Sequence, residues 1–170
     1  MITQPARDAQ WQNGVANPIT WSKGVMDGID GFDIELTRLS TEGLVLVARD
    51  VPVSPSSLNI YLDNVPPGDD YFLLFLNSTP GTVYTTSQRF SILSSSAQGI
   101  YPLPPIPNVP TITISGAPDP TKAWATTFPA LKANSAIGLG LLNRKESVVG
   151  MSVAMATCIM AFIIILGQAL

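Results

Sequence analysis

Leu62-Asp63-Asn64-Val65-Pro66-Pro67-Gly68-Asp69-Asp70-Tyr71-Phe72-Leu73-Leu74-Phe75-Leu76 decides how this chain is read. It runs from the end of one apolar-alternating segment, through a Pro/Gly corner, into the most apolar strand candidate ahead of the C-terminal segment. Two consecutive prolines offer no ladder donors, so Pro66 and Pro67 mark a connection rather than a strand. A tyrosine just past such a corner is placed to lock the turn with its hydroxyl, bonding backbone a few residues upstream. Tyr71 is that tyrosine, and its role is structural.

Outward from this corner the same grammar repeats. Phe32-Asp33-Ile34-Glu35-Leu36-Thr37 and Ser57-Leu58-Asn59-Ile60-Tyr61-Leu62 alternate apolar and polar residues with period two, the pattern of strands with one buried face. Leu44-Val45-Leu46-Val47-Ala48 is continuous and apolar, as in a strand covered on both sides. Thr82-Val83-Tyr84 and Gln88-Arg89-Phe90-Ser91-Ile92 complete the series, with glycines and prolines between the strands. Helical periodicity is absent before the C-terminal segment. The expectation is an all-β, immunoglobulin- or fibronectin-like antiparallel β-sandwich over residues 1–94.

After Ser94 the character changes. Eight of the fifteen prolines fall in this later part, interspersed with Ser and Thr. Prolines this dense predict an extended Pro/Ser/Thr-rich stalk and spacer over 95–147, with Val109 to Ser115 able to add a strand. Val148 to Leu170 has no charged residue, and as a helix it would reach about 34 Å, enough to cross a hydrocarbon core. Upstream stand Asn134-Ser135-Ala136, three small residues, then a spacer and the terminal apolar tail. That is the layout of a GPI-attachment signal with Asn134 as the attachment residue. A retained membrane helix is the competing expectation, and Arg144 and Lys145 just before it favour a cytosolic head. Met1-Ile2-Thr3-Gln4-Pro5 has no basic or apolar leader pattern, so an extracellular head expects a leader upstream of Met1.

Charge and residue types exclude several functions. Up to Ile92 five basic residues stand against ten carboxylates, and nowhere is there a basic patch for a phosphate backbone. There is no histidine, and the single cysteine, Cys158, lies in the apolar tail, so neither an intrachain disulfide nor a Cys/His zinc site can form. No cofactor motif occurs.

The remaining constellations each have a bland alternative. Asp27, Asp30 and Asp33 in a Gly-rich stretch offer hard oxygen ligands for calcium, but their spacing departs from the alternate-residue EF-hand register, and a solvated turn is expected. Asp63, Asp69 and Asp70 invite a glycosidase reading, yet adjacent residues on a strand face opposite ways, and capping or solvation is expected instead. A serine nucleophile would have no histidine base. Trp11, Trp21, Tyr61 and Tyr84 could form a sugar-stacking platform, but aromatics in a small sandwich are more often core or corner residues, and packing is expected instead. Asn77-Ser78-Thr79 is an acceptor sequon for N-glycosylation at the end of the apolar strand.

Four stretches together carry a family likeness: Trp21-Ser22-Lys23-Gly24, Phe32 to Leu36, Val65 to Phe75, and Thr86-Ser87-Gln88-Arg89-Phe90-Ser91-Ile92. In this order they resemble the N-terminal domain of the fungal Kre/Knh-type cell-wall proteins of β-1,6-glucan assembly and the related Ser/Thr-rich GPI-anchored membrane proteins. The likeness covers about the first half of the chain. It implies an extracellular immunoglobulin-like head on a Ser/Thr-rich stalk, often with a GPI signal. The expectation built on it is a head that takes part in cell-wall glucan assembly or organisation by binding wall polysaccharide (β-glucan) or wall proteins. It brings no catalytic residues and no metal or cofactor. The chain departs from the family pattern in showing no leader pattern after Met1, where one is expected upstream, and in a stalk richer in Pro than in Ser. The alternatives are a tail-anchored protein with a cytosolic interaction domain and, further off, a wall glycosidase.

Overall fold

The computed structural model describes residues 1–24, 28–40, 43–99 and 102–130. Its strands are β1 (Ile2–Gln4), β2 (Gln10–Gln12), β3 (Ala16–Trp21), β4 (Gly31–Arg38), β5 (Leu44–Pro52), β6 (Ser57–Asp63), β7 (Gly68–Asn77), β8 (Thr82–Thr86), β9 (Phe90–Leu93), β10 (Thr111–Ser115) and β11 (Thr126–Thr127). Two sheets pack face to face, one ordered β1-β3-β6-β10 and the other β11-β5-β4-β7-β9-β2, with β8 also on β7. Among the described residues the fold is all-β and sandwich-like, and no helix is long and apolar enough to cross a membrane.

Side-chain alternation builds the core. Phe32, Ile34 and Leu36 of β4 face the other sheet, as do Tyr71, Leu73 and Phe75 of β7, Leu58, Ile60 and Leu62 of β6, and Phe90 and Ile92 of β9. β4 and β7 are central, each with neighbours on both sides, as the apolar run after Tyr71 predicts.

The expectation of a purely antiparallel sandwich is corrected. The sheets are mixed: β10 runs parallel to β6, β11 parallel to β5, and β2 parallel to β9. Parallel neighbours need a crossing connection rather than a hairpin, and each of these strands enters its sheet after the chain has passed from the opposite one.

The domain boundary moves as well. The compact unit runs Met1–Leu131, not 1–94, and the segment read as stalk puts one strand into each sheet. Ile112 and Ile114 of β10 are buried in the core, which fits the possible strand at Val109 to Ser115. The prolines from Pro102 to Pro110 lie between strands, where a missing N–H costs nothing. Asn59 fastens this crossing: its amide oxygen accepts the Ile106 N–H and its amide nitrogen donates to the Ile106 carbonyl, both at 2.9 Å.

Strands β1 to β3 precede the first segment with a clear period, and sequence reasoning did not expect them. Pro18 lies inside β3, a residue that argues against a central strand. The structure accommodates it because β1 pairs with β3 at Trp21 and Thr20 only, leaving the Pro18 edge uncovered on that side. Asn134, Cys158, the spacer and the apolar tail lie outside the described residues.

Candidate functional site

A cleft of about 270 Å³ opens at one end of the sandwich, lined by Trp21, Ser22, Lys23 and Gly24 together with Phe32, Phe75 and Tyr84. Its floor is an aromatic cluster. Phe32 and Phe75 stack with centroids 4.2 Å apart, and Trp21 meets both edge-on, at 5.3 and 5.6 Å. Three elements converge because each aromatic falls on the inward phase of its strand, and offset or edge-on rings pack best in such a corner. The indole N–H of Trp21 is already spent on the Val53 carbonyl at 2.9 Å, and the ring is almost fully buried. Tyr84 is different, with 37% of its surface exposed. The β7–β8 register shifts beside it, pairing Phe75 with Thr85 but Leu76 with Val83. Such a bulge re-aims one side chain, and here it is the ring of Tyr84 that lines the cleft. At the rim Lys23 pairs with Asp30 at 3.2 Å.

Of the four aromatics considered for sugar stacking, the structure brings together Trp21 and Tyr84. Trp11 is buried and packs on Phe90 with centroids 4.6 Å apart. Tyr61 stands exposed on β6, in the other sheet. The contributions of Phe32 and Phe75 were missed, since inward strand aromatics read simply as core; their proximity to Trp21 depends on how the sheets face each other.

The corner at Tyr71 forms as the sequence indicates. The buried phenol donates to the Pro66 carbonyl at 2.5 Å, and the Arg38 guanidinium lies over the ring, 4.9 Å from its centroid. Burial pushes the phenol above its ordinary pKa. Arg38 also binds the Asp70 carboxylate at 3.0 Å, and Asp70 accepts the Ser40 N–H at 2.6 Å. Burial raises the Asp70 carboxyl, but the hydrogen bonds from Ser40 and Arg38, with the guanidinium charge, outweigh it and hold the pKa at about 2. Gly68 leaves room for this arrangement, since a Cβ there would displace the Arg38 guanidinium. Asp70 and Arg38 thus serve the corner, which accounts for these two charged residues near the turn.

No family model, curated protein or solved structure matches this chain.

The other acids are dispersed. Asp69 pairs with Arg89 at 2.7 Å, and Asp63 ends β6 in the other sheet, so the three carboxylates of the glycosidase reading hold separate posts. Asp33 accepts the Asp50 N–H at 2.9 Å and the N–H and hydroxyl of Ser78, tying the ends of β5 and β7 to β4. Asp30 is engaged by Lys23, and Asp27 lies outside the described residues. Among the described residues no three metal-ligating side chains gather. Glu35 sits next to Asp33 on the outer face of β4, opposite Leu46 and Leu74, and is nearly buried. Burial, with the neighbouring charge of Asp33, raises its pKa. Asn77 ends β7 beside a second, more polar cleft.

Proposed function

We propose that the chain is a non-enzymatic extracellular surface protein whose immunoglobulin-like head takes part in organising cell-wall glucan, with the Trp21–Tyr84 cleft as its contact. The observation that carries this reading is that Trp21-Ser22-Lys23-Gly24, one of the four stretches behind the family likeness, lines the cleft in full. Phe32 and Phe75, from two further stretches, complete the floor. A tyrosine presented over an apolar floor suits the hydrophobic face of a pyranose, while Ser22, Lys23 and Thr85 supply polar groups at its edge. The immunoglobulin-like type is supported by the tyrosine corner and by the order β2-β9-β7-β4-β5, in which the short N-terminal strand β2 takes the edge and runs parallel to β9. Attachment through a GPI anchor at Asn134, or through Val148–Leu170 as a membrane segment, belongs to the same proposal and rests on sequence alone.

Electrophoresis of the detergent-solubilised full-length chain through gels containing soluble β-1,6-glucan tests the reading. The chain is expected to be retarded by the polymer. Tyr84→Ala should weaken binding roughly 2- to 12-fold, the equivalent of about 0.5–1.5 kcal/mol for one aromatic contact, while Tyr61→Ala leaves it unchanged. Mobility that is the same with and without glucan would rule the polymer out as ligand.

A further inference from the structure

Asn77 closes β7 and opens the Asn77-Ser78-Thr79 sequon, and its side chain has a definite arrangement. The amide oxygen accepts the Thr79 N–H at 3.1 Å, so the side chain forms a local turn with its own loop. The oxygen is thereby occupied, and the amide nitrogen has no hydrogen-bond partner among the described residues. The loop is pinned from beneath, because both the N–H and the hydroxyl of Ser78 are held by Asp33. Beside Asn77 lies a cleft of about 290 Å³, lined by Asp33, Arg49, Asp50, Leu76 and Thr79. The Arg49 guanidinium and the Asp50 carboxylate form no ion pair with any described residue. Room for about one sugar ring, a free charged donor and a free charged acceptor therefore stand next to an amide nitrogen with nothing to do.

We propose that Asn77 carries an N-linked glycan whose first N-acetylglucosamine seats in this cleft and becomes part of the folded surface. The donor is a lipid-diphosphate-linked oligosaccharide. The Asn77 amide nitrogen forms a bond to C1 of the sugar as the C1–O bond to the diphosphate breaks. The lipid diphosphate leaves with the bonding electrons, and one amide proton is taken up by the base of the transferase. The second amide hydrogen and the turn to Thr79 are kept. Hydroxyl and acetamido groups of the seated ring are matched by Arg49 as donor and Asp50 as acceptor, giving both charges partners they lack in the bare protein. The sugar then braces the ends of β4, β5 and β7, which Asp33 already ties together.

The proposal rests on the extracellular reading only in requiring passage through the secretory pathway, and supplying a leader removes that dependence. The full-length chain with a leader is expressed in a eukaryotic host, and glycosylation is read on total chain, retained or exported. A mobility shift on complete deglycosylation is expected, absent in Asn77→Gln. Trimming with an endoglycosidase that leaves one N-acetylglucosamine should keep the melting temperature of the fully glycosylated form. Asn77→Gln should melt lower by about 2–4 °C, the shift typical of one modest interaction in a domain of this size, and Arg49→Ala should shrink that gap. An unmodified Asn77, or equal melting of the glycosylated, trimmed and Asn77→Gln forms, overturns the proposal. Failure of the chain to bind glucan leaves each of these outcomes unaffected, so the two readings fail separately.

Discussion

Tyr71, Arg38 and Asp70 concentrate several interactions in one turn, and each can be removed alone. Tyr71→Phe keeps the ring packing and deletes the hydroxyl with its hydrogen bond to Pro66 and its interaction with Arg38, leaving the Pro66 carbonyl without its partner. The expected cost is about 1–2 kcal/mol, read as a lower urea midpoint with an unchanged slope. Glucan binding by the folded fraction should persist, because Tyr71 lies outside the cleft. The carboxylates give this protein opposed pH limbs. Asp70 has a folded pKa of about 2, below its ordinary 3.8. Its contribution is therefore present above about pH 4 and is lost as pH falls towards 2, amounting to about 2 kcal/mol. Glu35 is shifted the other way, above 4.5, by burial and by Asp33. Its contribution is greatest below the unfolded value and fades as pH rises through the folded one, because the chain must then ionise a desolvated carboxyl. Urea midpoints measured from pH 2 to 7 should lose the acid limb in Asp70→Asn and the fall above about pH 4.5 in Glu35→Gln. Unchanged profiles in both variants would show that neither group governs stability.

At the scale of elements, the Pro-rich segment behaves as a belt rather than a stalk. It leaves β9, crosses to the opposite sheet, adds β10 beside β6, and returns to add β11 beside β5. Asn59 belongs to a group of buried asparagines that act as detachable pieces of backbone. Asn13 serves Val65 and Leu93, and Asn17 serves Gln12 and Val15, in each case where main-chain pairing is interrupted. Such side chains carry the donor and acceptor that a peptide group would, so irregular strand ends keep their hydrogen bonds. It follows that residues 1–94 alone should not form the native head. Removing the belt deletes Ile112 and Ile114, whose burial contributes on the order of 3–6 kcal/mol together, against a typical domain stability of ~5–15 kcal/mol. It also strips the Ile106 partner from buried Asn59. Residues 1–131 should unfold cooperatively by circular dichroism, whereas 1–94 should show a broad or absent transition. Equal midpoints for the two would restore the shorter head.

For the whole molecule, local pattern determined the all-β class, the strands from Phe32 to Ile92, the corner at Tyr71 and the central place of β7. Each of these rests on near neighbours in the chain: a period of two, a Pro/Gly break, a tyrosine at a fixed offset. Strands β1 to β3 were illegible because they are short, irregular and interrupted by Pro18, and they persist only through partners far along the chain. The belt was misread for a related reason. Proline density is a statement about local backbone, and Thr111–Ser115 becomes a strand because β6 offers it an open edge and a core that Ile112 and Ile114 can enter. Among candidate site residues, Trp21 and Tyr84 could be named from the sequence, but not that they share a cleft while Trp11 and Tyr61 do not. Asn77 was visible as a sequon, yet its free amide nitrogen and the charges of Arg49 and Asp50 beside it emerge only when the start of β4 meets the ends of β5 and β7. Sequence by itself thus determined what is periodic and local. Tertiary structure decided the mixed sheets, the domain boundary and both clefts, because each depends on contacts between residues that no short-range pattern brings together.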